Sequence, residues 1–367
     1  MTDSNFIFYC PTKIYFRENG LSTIGEIISK DYHFKKVFFV YGGKHLKEAK
    51  QYDVICSSLK ENGIDFIEYG GIEANPDVKD VIKMVEMARG FRPDLILGCG
   101  GGSVIDASKS LANSYYYEGN PLDFNRRTIT PLHALPVATI LTIAASGSEM
   151  SDSCVISDRK HNFKNGFNSE TNRPLFSLLD PTLTYSVSPY QTSMGIIDMF
   201  CHTFERYFSP SHSIEPCDAI ALSVLQEIVK TSHVIQKDYE NRDARRALMI
   251  LGTVAHNGFT SYGKKFFFRI HQAEHRLSGA YPLLTHAQGI ALLMIDFLNI
   301  NKDKIQEKIT RFGQAVFDLD SNCTMEQTID ALNQWLLSFP IYHSFEELPF
   351  EISKEWIDKA HELLRIK

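Results

Sequence analysis

Residues 94–109 read D-L-I-L-G-C-G-G-G-S-V-I-D-A-S-K. The first six, Asp94–Cys99, form an apolar run with the length of a buried strand, and a helical pattern starts at Val104. Gly100, Gly101, Gly102 and Ser103 fill the turn between them. Glycines let the backbone approach a ligand closely, and a helix N-terminus adds unpaired N–H groups and the positive end of its dipole. Strand, glycine run and helix in that order predict a phosphate cradle. The run matches neither G-x-G-x-x-G nor the Walker loop, so a tight turn is the alternative reading.

Working outward, the same unit recurs. V-F-F-V-Y (37–41) stops at Gly42-Gly43, and D-F-I-E-Y (65–69) stops at Gly70-Gly71. A-L-P-V-A-T-I-L-T (134–142) leads into I-A-A-S-G-S-E-M (143–150), small and polar enough to line a ligand. Residues 6–16 suggest short strands or an extended arm, and P-L-F-S-L-L-D-P (174–181) is one of several strand-like pieces in 151–185. Helical patterns at 20–30, 46–61 and from 75 to about 88 separate the strands, the last with Asn75 as cap and Pro76 at its first position. Such alternation predicts a parallel α/β sheet, with ligands at the carboxyl ends of its strands. From about 187 only helical patterns remain: 190–208, 215–234, 242–260, 264–278, 287–299, 302–317, 324–337 and 352–366. The expected organisation is a nucleotide-binding α/β domain over 1–186, a Rossmann-like parallel sheet, and an all-α metal-binding domain over 187–367. The active site is expected in the cleft between them.

Two stretches of the helical half carry the chemistry. M-G-I-I-D-M-F-C-H-T-F-E (194–205) places Asp198 and His202 four apart in an otherwise apolar helix. A buried aspartate is costly unless it is paired or binds a cation. Residues 269–291 read R-I-H-Q-A-E-H-R-L-S-G-A-Y-P-L-L-T-H-A-Q-G-I-A. There His271 and His275 share a helix face, and His286 follows a break at Ser278, Gly279 and Pro282. Asp198, His202, His271 and His286 together make one carboxylate and three imidazoles, a set that suits Fe(II) or Zn(II). His275 is left beside the metal, free to move a proton. Ordinary buried histidines are the alternative.

Composition bounds the rest. The 367 residues carry a formal net charge of -6 and no long basic run, which argues against a nucleic-acid partner. No signal pattern opens the chain and no apolar run has membrane-spanning length. The seven cysteines are scattered without a C-x-x-C pair, which points to a reducing cytoplasm. Cys201 reads as core packing, turned away from Asp198 and His202.

The glycine run 100–109, the Asp198/His202 pair and the His271/His275/His286 set resemble the iron-containing (group III) alcohol dehydrogenases. The likeness is strongest to the butanol-dehydrogenase and broad-specificity aldehyde-reductase branch. Y-G-G-K-H (41–45), N-P-D (75–77), S-G-S-E (146–149), L-D-P (179–181) and H-Q-A-E-H-R-L-S (271–278) add to the resemblance, which runs from about residue 8 to 300. It implies a dehydroquinate synthase-like fold and a nicotinamide cofactor on the first domain. Gly101, Gly102 and Ser103 would hold the pyrophosphate, Asp106 would lie near the nicotinamide and have a catalytic part, Thr142 would lie near the adenine, and Lys164 would reach the nicotinamide ribose. Gly42, Gly43, Lys44, Gly100, Thr139, Ser146 and Leu179 complete the implied cofactor set. The metal ligands implied are Asp198, His202, His271 and His286, with His275 relaying a proton. A small aldehyde or primary alcohol is the implied substrate, and relatives often form homodimers.

Three features depart from the branch. The gap from His275 to His286 is one residue longer than usual. Arg276, with Lys264, Lys265 and Arg269, reads first as a solvated basic helix face; a preference for an anionic aldehyde is the alternative. Lys44 and His45 follow the first strand with no acidic residue for a ribose hydroxyl, which leans towards NADP over NAD. A metal-dependent cyclase of the dehydroquinate synthase kind is the rival reading; the H-x-x-x-H and L-S-G spacing favours the dehydrogenases.

Overall fold

The computed structural model describes residues 6–209, 215–261, 263–264 and 266–366. Six strands form one sheet: β1 (Lys13–Phe16), β2 (Lys36–Tyr41), β3 (Asp65–Tyr69), β4 (Leu95–Gly100), β5 (Val137–Leu141) and β8 (Phe176–Leu179). Their order is β1-β8-β5-β4-β2-β3 and every pairing is parallel. Continuous apolar runs such as Val37–Val40 suit this, because both faces are covered. Val37, Phe39 and Tyr41 face one core with Leu97, Ile140 and Leu178; Phe38 and Val40 face another with Ile96 and Val137.

The connections set the helices. A 3₁₀ turn, α1 (Ile24–Glu26) and a π turn carry the chain to Asp31; α2 (His45–Glu48) and α3 (Gln51–Glu61) follow β2. After β3 comes α4 (Val78–Phe91), and after β4 come α5 (Gly102–Ser114) and α6 (Leu122–Asn125). The cap of α4 is Asp77, not Asn75: its carboxylate accepts from Lys79 N at 2.9 Å, while Asn75 sits at φ 55°. In 151–185 the strand-like pieces include an antiparallel hairpin, β6 (Ser153–Asp158) and β7 (Phe163–Asn168), turned at Asn162 in the left-handed region. β3 lies on one side of β2 and β4 on the other, so the connection reverses direction at β2. That is the switch point where α/β sheets bind ligands, and the turns Gly42–Lys44 and Gly100–Gly102 follow its two strands.

The chain divides into two compact units. One comprises Cys10–Ile143 and Ser148–Tyr185 and holds the sheet; the other comprises the segment up to Tyr9, Ala144–Gly147 and the chain from Ser186 onward. The second is helical: α7 (Pro189–Tyr207), α8 (Glu215–Lys237), α9 (Arg242–His256), α10 (Arg269–Ala280), α11 (His286–Asn301), α12 (Gln306–Phe317), α13 (Met325–Leu337) and α14 (Lys354–Leu364). Of the pattern expected over 264–278, only the part from Arg269 is helix, since Gly263 turns the chain at φ 61°. α7 is buried along its whole length from Thr192 to Tyr207, so a charged residue on it needs a partner. Among the described residues no helix is long and apolar enough to cross a membrane.

Candidate metal centre

Helical spacing stacks Asp198 and His202 on one face of α7, and α10 and α11 bring His271 and His286 to it. His271 Nε2 lies 3.6 Å from Asp198 Oδ1, and His286 Nε2 lies 3.8 Å from the same oxygen. Ligand atoms on a tetrahedral cation with bonds of about 2.1 Å stand roughly 3.4 Å apart, so the spacing is close to a ligand cage. Asp198, His202 and His271 present donor atoms within 4.8 Å of one another. Asp198 Oδ1 and His271 Nε2 are buried and have no hydrogen-bond partner. Each such orphan costs about 1–3 kcal/mol, and one divalent cation would satisfy both. The donor set therefore fits the metal. Residues 281–285 form the turn between α10 and α11, and α11 begins at His286 itself.

Each imidazole is fixed through its Nδ1. His271 Nδ1 contacts Glu205 Oε2 at 2.5 Å, His286 Nδ1 pairs with Glu274, and His202 Nδ1 lies 2.9 Å from the Asp198 carbonyl oxygen. On His271 and His286 this turns Nε2 towards Asp198 Oδ1, the arrangement that outer carboxylates impose on metal-binding histidines, whereas on His202 it is Nδ1 that lies 3.3 Å from that oxygen. Glu205 also accepts from Ile270 N at 2.6 Å, tying α7 to the start of α10. Neither Glu205 nor Glu274 figures in the sequence reading. The signal was available: Glu205 falls three after His202, and Glu274 three after His271, on the ligands' helix faces. Cys201 is not simple packing, for its Sγ lies 3.9 Å from Glu205 Oε2 and 4.0 Å from His271 Nδ1.

The electrostatics follow the geometry. Burial opposes charge on both Asp198 and His271. The imidazoles around Asp198 outweigh it and lower that carboxyl, and the carboxylates around His271 outweigh it and raise the imidazole to about 9. Burial, with His271 and Arg206 nearby, pushes His202 well below the ordinary imidazole range. His275 stands apart from Asp198: its ring is 5.3 Å from that of His286 and its Nε2 is 3.9 Å from Glu274. The side chain of His286 is 28% exposed against 7% for Asp198, so the cage is open on the His286 side.

The sheet unit holds the other predicted residues. Gly101 caps α5 with no side-chain bond to the helix N–H groups, and a Cβ there would meet Ile143 at 2.7 Å. Thr142 N donates to Gly100 O at 3.2 Å, which brings those two turns together. Leu179 is buried at the carboxyl end of β8, in register with Leu141. Thr139 lies inside the sheet, wholly buried, its hydroxyl donating to Ser177 Oγ at 2.7 Å. Asp106 accepts from Ser148 Oγ at 2.6 Å and from Val155 N at 2.9 Å. Lys164 is buried on β7, opposite Ser157. Lys109, absent from the sequence reading, is fully buried and donates to Ser148 Oγ, Ser151 O and Ser153 O at 2.8–3.1 Å. Ser146 belongs to the short segment 144–147 of the helical unit. The basic cluster around Arg276 is not assembled. Lys264 pairs with Asp218 in the interior, Arg269 packs over Phe267, Arg276 is exposed, and Lys265 lies outside the described residues.

Known proteins resemble this chain along most of its length. The sequence profile described as iron-containing alcohol dehydrogenase matches residues 11–181, and that of the Fe-containing alcohol dehydrogenase family C-terminal region matches 192–363. The chain is 38% identical to NADH-dependent butanol dehydrogenase A of Clostridium acetobutylicum over 87% of this chain and 81% of that protein. It is 30% identical to the NADPH-dependent aldehyde reductase YqhD of Escherichia coli over 89% and 84%. The crystal structure of NADH-dependent butanol dehydrogenase A from Thermotoga maritima superposes with a TM-score of 0.93 at 31% identity, over 98% of this chain and 90% of that one.

Proposed function

The chain belongs to the iron-containing alcohol dehydrogenase family, and on that premise we propose that it works as a metal-dependent reductase of small aldehydes. It is an NAD(P)H-dependent alcohol/aldehyde oxidoreductase that uses one metal. When bound, the divalent metal supplies Lewis-acid polarisation of a carbonyl oxygen and the nicotinamide supplies hydride.

The residues of this chain do the rest. Asp198, His202, His271 and His286 hold the metal, Fe(II) or Zn(II), with Glu205 and Glu274 fixing two of the rings. Backbone N–H groups at Gly101, Gly102 and Ser103 hold the cofactor pyrophosphate at the switch point, and Thr142 and Lys164 contact its two ends. Asp106, held in place by bonds from Ser148 and Val155 to its two oxygens, lies near the nicotinamide and has a catalytic part. His275 carries the proton that the developing alkoxide requires. Lys44 and His45, exposed after β2, favour the extra phosphate of NADPH. We further read the protein as a cytoplasmic homodimer, in keeping with seven unbonded cysteines. The anionic-aldehyde alternative loses its support where Lys264 spends its charge on Asp218.

One observation carries this reading: a buried carboxylate oxygen of Asp198 and a buried imidazole nitrogen of His271, both without hydrogen-bond partners, lie 3.6 Å apart beside two histidines that outer carboxylates fix. The wild-type protein is expected to hold one equivalent of divalent metal by elemental analysis. His271→Ala should lose both the metal and aldehyde-dependent NAD(P)H oxidation. Full metal content with wild-type turnover in that variant would contradict the assignment.

A further inference from the structure

The three imidazoles are not braced alike. His271 and His286 are backed by carboxylates, Glu205 and Glu274. The Nδ1 of His202 instead lies 2.9 Å from the carbonyl oxygen and 3.3 Å from the carboxylate of Asp198, one turn back on its own helix, and its ring is held by other groups. His256, the last residue of α9, meets it edge to face with ring centroids 4.0 Å apart, and Phe268 does so at 5.7 Å. His256 is itself buried.

Arg206 organises this corner. It lies one turn after His202 on α7 and is buried. Its Nη1 donates to His202 O at 2.8 Å and to Ala255 O at 2.9 Å, and its Nη2 donates to His256 Nδ1 at 3.2 Å. Phe266 and Phe268 flank the guanidinium at 5.0 and 4.8 Å. A guanidinium is always protonated, so His256 Nδ1 must accept, which fixes that ring as the neutral tautomer with its proton on Nε2. The guanidinium thus joins the backbone of a metal ligand, the end of α9, and the segment leading into α10, which carries His271. Charge agrees as well. Asp198, Glu205 and Glu274 bring three negative charges and Arg206 one positive, leaving two that a divalent cation balances.

We propose that Arg206 and His256 are positioning residues for the metal ligand His202, a guanidinium–imidazole bracket that sets its ring where the other two imidazoles use carboxylates. This rests on reading Asp198, His202, His271 and His286 as the metal cage. A cationic bracket does not raise imidazole basicity as a carboxylate does, so His202 is the ligand whose hold depends on orientation.

The test uses chelator-stripped full-length protein titrated with Co(II) against a chromophoric chelator, with the Co(II) visible absorption recorded. His256→Phe keeps a ring against His202 but removes the acceptor for Arg206. It should bind Co(II) about tenfold more weakly and with an altered absorption band, while the stripped protein keeps the wild-type far-UV circular dichroism and still melts in one cooperative transition. His256→Gln keeps an acceptor and should recover most of the affinity, and Arg206→Met should behave as His256→Phe. Wild-type affinity and absorption in His256→Phe, or equal weakening in the Phe and Gln variants, would overturn the bracket and leave the cage intact. No stoichiometric Co(II) in the wild type would overturn both.

Discussion

His271 carries the sharpest electrostatic consequence of the site. Burial opposes its charge, yet Asp198 and Glu205 raise it to about 9. In stripped protein near pH 7.5 the ring therefore holds a proton that an incoming metal must displace. The sign is fixed: below about 9 metal affinity falls as pH falls, by about tenfold per unit for one displaced proton. Metal uptake near pH 7.5 should release about one proton, measured with an indicator dye in weak buffer; uptake without release would contradict the proton's place on His271. His275 has a different part. Its ring faces that of His286 rather than Asp198, at 5.3 Å. His275→Ala should keep one equivalent of metal and lower kcat by roughly 10²–10⁴; an unchanged kcat would remove its proton role. That Asp198 and His202 are buried side by side was legible because i,i+4 spacing inside an apolar helix makes an aspartate and a histidine conspicuous. The Arg206–His256 contact was not, since the two meet across fifty positions of sequence, which no local pattern reports.

At the scale of elements, α7 is packed so closely that backbone touches backbone. A Cβ at Gly195 would lie 2.2 Å from Ala144 O. Glycine to alanine inside a helix ordinarily gains up to about 1 kcal/mol. Here the clash outweighs that gain, since overpacking costs about 1–3 kcal/mol. Gly195→Ala should lower the urea midpoint, and a raised one would show that α7 and the 144–147 segment can move apart freely. Sequence pattern served well where the ends are marked. β3 occupies the predicted 65–69, and β2 begins one residue before the predicted 37–41, because glycine pairs close both runs. It failed where the deciding geometry is local. Asn75 takes a left-handed conformation and leaves the cap to Asp77, and the β6–β7 hairpin turns at Asn162 with no glycine to announce it.

For the whole molecule, chemistry is divided between units. The sheet unit offers glycine turns at its switch point, and the helical unit gathers one carboxylate and three imidazoles from α7, α10 and α11. Fold class was readable because the chain changes from alternating to purely helical patterning near residue 187, close to the division before Ser186. Turnover is expected to require both the cofactor and the metal. This is tested by following NADPH and NADH oxidation with butanal in chelator-stripped protein and in the same protein reloaded with Fe(II) or Zn(II). Stripped protein should be inert, one equivalent of one of these metals should restore turnover, and NADPH should be the faster cofactor. Full activity in stripped protein, or no activity with any pairing of metal and cofactor, would contradict the account.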